Sequence, residues 1–242
     1  MSGHSKWNNI KHKKEKSDAA KAKIFTKIGK EMAIAIRAGG PDPSVNGKLR
    51  DLIAKAKANN VPNDNIERVI KKFSGANDIV YEEISYEGYG PAGIAVIVKA
   101  ATDNRNRTAG NVRSYFSKYG GNLGQNGCVG FLFEEKGVIA IVDEDGEIAE
   151  DALMECALEA GASDLTAEDG VFEIYTEPDD LAAVSEALTA AGYKLDSAEV
   201  AMVPSTYARL TSDEDKKHME QLLEKLEDDD DVSEVYHNWE DD

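Results

Sequence analysis

The chain has 242 residues, which is enough for two domains or three small ones. Its apolar content of 41% supports a sizeable core and excludes global disorder. With 28 Lys and Arg against 46 Asp and Glu, the net charge of −18 by itself opposes binding to nucleic-acid phosphates.

The negative charge is unevenly distributed along the chain. Residues 1–73 hold 17 Lys and Arg against 7 Asp and Glu, a net of +10, whereas residues 143–242 have a net of −27. This asymmetry predicts a basic working surface attached to an acidic body, and a protein partner could bind the acidic surface. Two cysteines, no long apolar run and a start without an apolar signal region predict a cytoplasmic protein without membrane contact.

The first third of the chain has helical periodicity. Helices are expected at 17–39, at 44–59 and from 63 to Gly75, and together they form a small bundle. One face of the first helix is apolar, and a second face is lined at helical spacing by Lys23, Lys27, Lys30 and Arg37. The preceding residues 1–16 hold five Lys and almost no aliphatic residues, which predicts a flexible basic arm.

From Tyr81 onward the pattern is mixed. It predicts strands at 81–86, 94–100 and 129–134 with a helix at 104–118, then a β-α-β-β-α-β order between 138 and 203, and finally a helix at 213–227 and a strand at 232–236. The β-α-β-β-α-β order is typical of a ferredoxin-like domain.

The predicted fold class is α+β with three domains, an N-terminal helical bundle and two α+β domains, with the ferredoxin-like domain inserted in the other. The expected boundaries are 1–16 for the arm, 17–78 for the bundle, 79–135 plus 204–242 for one α+β domain, and 136–203 for the insertion. A lone terminal strand needs a sheet to pair with, which favours nesting over the alternative of three consecutive domains.

Several motifs point away from catalysis. The turn 88–93 (GYGPAG) is followed by a strand, so a hairpin is expected rather than a dinucleotide site. The Gly-rich stretch 120–130 is expected to allow close backbone packing, with phosphate contact as the alternative. The four His are scattered, no nucleophile elbow occurs and the run 227–231 is interpreted as solvated surface, so we expect no enzyme activity, no metal and no cofactor.

The arm carries the clearest functional signal. Basic residues interleaved with aromatic side chains are typical of nucleic-acid contact through phosphates and base stacking. The candidate binding residues in the arm and first helix are Lys6, Trp7, Lys11, His12, Lys13, Lys14, Lys16, Lys21, Lys23, Lys27, Lys30 and Arg37. The alternative is that the arm folds back on the acidic part of the chain.

A second candidate patch begins at the segment 103–108 (DNRNRT), where a strand gives way to a helix. Arg105 and Arg107 occupy the first turn of this helix, where the helix dipole disfavours cations, and Arg113 follows. This costly placement indicates either a phosphate-binding patch, which suits arginine geometry, or internal salt bridges.

Several of these motifs together resemble the YebC family along essentially the whole chain. The matching segments are GHSKWNNIKHKK, KAKIFT, GGPDP, YEGYGP, DNRNRT, GGNLG, SAEVAMVPST and VYHN. The resemblance implies three domains with a ferredoxin-like insertion, no enzyme activity, and a transcriptional regulator that binds duplex DNA. The alternative that it implies is a translation factor that contacts ribosomal RNA or tRNA on the ribosome and aids synthesis through proline-rich stretches.

Overall fold

A computed structural model describes residues 18–75, 78–143, 145–168 and 170–240, with side chains from Ala22 onward. The described chain divides into two compact units. We call residues 18–130 with 210–237 the bundle-and-sheet unit, and residues 131–209 with 238–240 the ferredoxin-like unit. The chain therefore leaves the first unit after Gly130 and returns to it at Leu210.

Three helices form the bundle because each carries an apolar stripe. They are α1 (Asp18–Gly39), α2 (Gly47–Ala58) and α3 (Asn63–Phe73). Ile28, Met32, Leu49 and Ile66 are buried where the three stripes meet. Buried Asn46 links two of the helices: its side chain accepts a hydrogen bond from Leu49 N at 3.1 Å, and its amide donates to Ala35 O at 2.8 Å.

An antiparallel sheet with two helices completes the bundle-and-sheet unit. Its elements are β1 (Glu82–Tyr89), β2 (Ala95–Thr102), α4 (Arg105–Lys118), β3 (Asn122–Leu123), α7 (Asp213–Asp228) and β9 (Val232–His237). The strand order is β3-β1-β2-β9, so β9 pairs with β2, which precedes it by more than 100 residues. Helix α1 of the bundle lies against β2 and β9.

The ferredoxin-like unit has the β-α-β-β-α-β order that the sequence predicts. Its elements are β4 (Phe133–Val142), α5 (Glu150–Glu159), β5 (Asp164–Glu168), β6 (Val171–Thr176), α6 (Leu181–Ala190) and β7 (Ser197–Pro204). The antiparallel sheet has the order β5-β6-β4-β7, and its core includes Ile139, Leu153, Ile174 and Leu188. The short strands β8 (Ala208–Arg209) and β10 (Trp239–Glu240) pair in parallel.

One expected strand boundary differs from the structure. The separate strands expected at 129–134 and 138–142 are the single strand β4, and its first residue Phe133 pairs with Pro204 of β7. Residues 133–135 and Pro204 therefore lie in the ferredoxin-like sheet, a few residues outside the expected limits of 136 and 203. Gly137 lies inside this strand. A larger residue would not fit there, because a Cβ would lie 2.2 Å from Thr176 Oγ1.

The third strand of the other sheet is β3, which pairs with β1 through Gly88 and Tyr89. A Cβ at Gly88 would lie 2.6 Å from Asn122 O, so glycine permits this close approach. The turn between β1 and β2 is a hairpin, as expected from its sequence, with Gly90 N donating to Ile94 O at 2.7 Å.

The predicted fold class is confirmed: an N-terminal helical region is followed by two α+β domains, one of them ferredoxin-like and inserted in the other. Among the described helices, none is long and apolar enough to cross a membrane.

Candidate nucleic-acid interface

The acidic segment 227–231, expected to be solvated surface, comprises the last two residues of α7 and the connection to β9, and it contacts both predicted basic patches. Helix α7 ends at Asp228, and Asp229 adopts an extended conformation that turns the chain into β9. Asp231, just before β9, is only 5% exposed. A buried carboxylate needs partners, because an unpaired charge in the protein interior is costly.

The lysine face of α1 provides the first set of partners. Lys23 Nζ lies 3.0 Å from Asp228 Oδ1, and Lys27 Nζ donates to Glu227 O. Lys30 Nζ lies 2.7 Å from Asp231 Oδ1 and also donates to the backbone oxygen of Asp230 at 2.8 Å. The lysines thus approach the C-terminal end of α7, where the helix dipole favours positive charge.

The first two turns of α4 provide the second set. Arg107 donates to Asp231 Oδ2 from Nε at 3.1 Å and from Nη2 at 2.7 Å, and Thr108 Oγ1 lies 2.8 Å from the same oxygen. Burial favours a higher pKa for Asp231, but the hydrogen bonds from Lys30, Arg107 and Thr108 outweigh burial and lower the pKa to about 2. Asp231 is therefore ionised and joins α1, α4 and β9.

Asp229 binds the next turns of α4. Its Oδ2 accepts hydrogen bonds from Asn111 Nδ2 at 3.1 Å and from Tyr115 OH at 3.0 Å. Burial, and then the hydrogen bond to Asp229, raises the pKa of Tyr115 to about 12. Tyr115 therefore remains a hydrogen-bond donor at neutral pH.

A cleft of about 500 Å³ separates these elements. Its lining carries both signs of charge and consists of Lys23, Lys30, Tyr81, Asp103, Arg107, Asn111 and Asp228–Asp231. Because carboxylates already neutralise the cations within it, the cleft does not present a positive surface to phosphates. Within the described residues, no group of three His, Cys, Asp or Glu side chains is placed to hold a metal ion.

The predicted binding residues fall into three groups. The arm residues Lys6 to Lys16 lie outside the described residues, as does the side chain of Lys21. The acidic segment brings together Lys23, Lys27, Lys30 and Arg107. The remaining three, Arg37, Arg105 and Arg113, are exposed outside the cleft lining.

The two arginines of the DNRNRT segment have different environments. Arg107 pairs with Asp231 and also with Asp103 at 2.8 Å, which agrees with the salt-bridge alternative. These two hydrogen-bonded carboxylates raise the pKa of Arg107. The side chain of Arg105 is 68% exposed and has a 3.5 Å contact with Glu82, an exposed pair of the kind that contributes little.

The Gly-rich stretch binds a side chain of the protein itself. The backbone N–H groups of Gly127, Val129 and Gly130 donate to the carboxylate of Glu87 at 2.7–2.9 Å. Burial opposes ionisation of Glu87, but these three hydrogen bonds lower its pKa. Glu87 thus occupies these N–H donors, which favours close packing over phosphate contact.

The sequence showed the acidic segment but not its contacts with α1 and α4. Arg107 and Asp231 are 124 positions apart, and no local pattern shows that they meet. The only signal was the spacing of Lys23, Lys27 and Lys30 on one helix face, and that signal does not distinguish an internal acidic partner from phosphates.

The contacts of Asp231 predict a large stability loss for Asp231→Asn. The substitution leaves Lys30 without its buried countercharge, so we expect the free energy of unfolding to fall by about 2 to 4 kcal/mol, as is typical when one partner of a buried ion pair is removed. Urea denaturation of the full chain measures this. Asp230→Asn is the matched control, because the Asp230 side chain is exposed, and a change within about 0.5 kcal/mol is expected. Equal losses in both variants would contradict the structural role of Asp231.

The lowered pKa of Asp231 also predicts a pH dependence. Because the pKa falls from about 4 in the unfolded chain to about 2 in the folded one, the contribution is fully present above pH 4 and is lost as the pH falls toward 2. The stability difference between the unsubstituted chain and Asp231→Asn should therefore shrink by about 2 kcal/mol across this window. A difference that stays constant from pH 5 to pH 2 would contradict the assignment.

Family profiles match most of this chain. A profile described as "TACO1/YebC protein N-terminal domain" matches residues 5–76, and a profile described as "TACO1/YebC second and third domain" matches residues 81–239. The resemblance to YebC proteins inferred from the sequence motifs is thereby confirmed.

Close relatives match along the full length of the chain. A protein of Acetivibrio thermocellus is 58% identical and one of Lachnoclostridium phytofermentans is 55% identical, each over 99% of both chains, and both are named "Probable transcriptional regulatory protein". The crystal structure of a conserved hypothetical protein from Aquifex aeolicus is 43% identical, covers 93% of this chain and 92% of its own, and superposes with a TM-score of 0.84. The chain belongs to the TACO1/YebC family.

Proposed function

We propose that this chain is a non-catalytic, DNA-binding regulator of transcription. The observation that carries the proposal is the name "Probable transcriptional regulatory protein" of relatives at 55–58% identity over the full chain. The net charge of +10 in residues 1–73 supports contact with phosphates. The acidic remainder of the chain limits unspecific binding and offers a surface for a protein partner.

The structure narrows the set of residues that we assign to DNA contact. We assign that role to the arm lysines with Trp7 and His12, and to the exposed Arg37, Arg105 and Arg113. Lys23, Lys27, Lys30 and Arg107 instead hold α1 and α4 on the acidic segment. Displacing the acidic segment would leave Asp231 buried without its countercharges, which opposes a phosphate taking its place.

A translation factor bound to ribosomal RNA or tRNA is the second candidate. The observation that favours it is that no Arg precedes Arg37, so the arm carries lysine alone. Lysine acts as a point charge and does not make the paired hydrogen bonds by which arginine recognises guanine. A lysine arm therefore suits the crowded backbone of folded RNA as well as it suits duplex DNA.

Parallel binding measurements distinguish the two candidates. The full chain is titrated at physiological salt against duplex DNA and against purified ribosomes. Submicromolar binding to the duplex with weaker ribosome binding is expected for the transcriptional regulator. Submicromolar binding to ribosomes with only weak, sequence-independent binding to DNA would reject it.

The arm predicts a strong salt dependence. Neutralising about five phosphates gives a log–log slope of about −4.5 between affinity and salt concentration. We expect Lys11, Lys13 and Lys14 changed together to Ala to weaken binding and to flatten the slope by about 2.7, with thermal stability unchanged. An unaltered slope would refute the role of the arm.

The different environments of Arg105 and Arg107 predict opposite phenotypes. Arg105→Gln should weaken DNA binding with little change in melting temperature, because the ion pair of its side chain, with Glu82 at 3.5 Å, is exposed. Arg107→Gln should lower the melting temperature, because it removes two of the hydrogen bonds to Asp231. Thermal melts and DNA titrations of both variants measure this, and identical behaviour would contradict the distinction.

A further inference from the structure

Helix α4 has an unusual charge for this chain. Its 14 residues include three Arg and one Lys but no acidic residue. By contrast, α7 has seven acidic residues among 16, and the chain as a whole has 46. Because all charged side chains of this helix are positive, its surface attracts an anionic partner.

Contacts within the protein account for two sides of α4. Thr108, Val112 and Phe116 are buried on its inner side, while Asn111 and Tyr115 bind Asp229. The opposite side, which we call the outer face, consists of Asn106, Gly110, Arg113, Ser114 and Ser117, all of them exposed. Their spacing of three and four residues places them on one stripe of the helix. Among the described residues, none forms an ion pair or side-chain hydrogen bond with this stripe.

Gly110 lies in the middle of the outer face. Apart from proline, glycine is the poorest helix former, and in a helix interior it is destabilising relative to alanine. A Cβ at Gly110 would meet no described atom within 4 Å, so the packing of the described residues does not require glycine. Without a side chain, the helix backbone at this point is open to close approach by another molecule.

The exposed cations extend along the helix. Arg105, Arg113 and Lys118 are eight and five residues apart, which separates them by about 12 and 8 Å along the axis at a rise of about 1.5 Å per residue. Arginine and lysine groups spread over about 20 Å match a linear polyanion better than a single anion. Between Arg113 and Lys118, the hydroxyl groups of Ser114 and Ser117 can donate hydrogen bonds to phosphate oxygens.

We propose that the outer face of α4 is a docking surface for the sugar–phosphate backbone of duplex DNA, with Gly110 at the point of closest approach. This inference rests on the proposed DNA-binding function and identifies a surface beyond the arm. Arg113 contacts phosphates from the outer face, and Arg105 and Lys118 contact them from the two ends of the helix. The contacts are to the backbone, so binding here is independent of base sequence.

Two variants test the docking surface, each measured by salt-dependent titration with a 20-base-pair duplex and by thermal melting. Arg113→Gln is expected to weaken binding several-fold and to flatten the log–log salt slope by about 0.9. Lys194→Gln is the matched control, because it removes one exposed positive charge from the ferredoxin-like unit. The control should change the slope by much less.

Gly110→Ala separates binding from folding. Alanine in an exposed helix raises the melting temperature, whereas its methyl group obstructs a backbone in close contact, so we expect a more stable protein that binds DNA more weakly. Gly110→Gln, with a larger neutral side chain, should weaken binding further. A purely structural role for Gly110 would not produce opposite changes in stability and affinity.

The outcomes distinguish this inference from the function on which it rests. If the unsubstituted chain binds the duplex and the variants at 110 and 113 bind equally well, the docking surface is refuted and the DNA-binding function stands. If the unsubstituted chain does not bind the duplex, the proposed function fails. If the variants lose affinity for purified ribosomes but not for the duplex, the assignment to DNA is overturned.

Discussion

The bundle-and-sheet unit depends on one buried carboxylate. Asp231 is held within 3.1 Å by Lys30 of α1 and by Arg107 and Thr108 of α4, and it directly precedes β9. Because removing an ion from water is costly unless it is paired, these groups must stay together for Asp231 to remain ionised. One side chain thereby sets the position of the bundle's longest helix relative to the sheet and the start of the strand that pairs with β2.

This constraint changes the meaning of the basic N-terminal region. Part of its positive charge is neutralised within the chain, because Lys23, Lys27 and Lys30 bind groups at the C-terminal end of α7. A row of lysines on a helix face is commonly interpreted as a phosphate-binding surface. Here the anionic partners of Lys23 and Lys30 are carboxylates of the same chain. Among the predicted binding residues with described side chains, Arg37, Arg105 and Arg113 are exposed outside the cleft, and we propose these, with the arm lysines, for contact with an external polyanion.

Periodicity predicted the helices well and the strand boundaries less well. The first helix was expected at 17–39 and is described as Asp18–Gly39, because its apolar residues recur at every turn and Gly39-Gly40 ends it. The separate strand expected at 129–134 was wrong, because the strand begins only at Phe133 and continues through Gly137, which lies opposite Thr176, to Val142. The two-residue strand β3 is too short to have a periodic pattern, and its pairing depends on the close approach at Gly88.

The sequence by itself determined the fold class, the order of elements and the separation of basic from acidic segments, because these follow from local periodicity and composition. It also identified Arg105 and Arg107 as costly in the first turn of a helix. Only the tertiary structure decided which of the two binds a buried carboxylate, since Arg107 meets Asp231 across 124 residues of chain while Arg105 forms only an exposed pair with Glu82. Pairing between distant charges depends on how the helices pack against the sheet, and local sequence patterns do not contain that information.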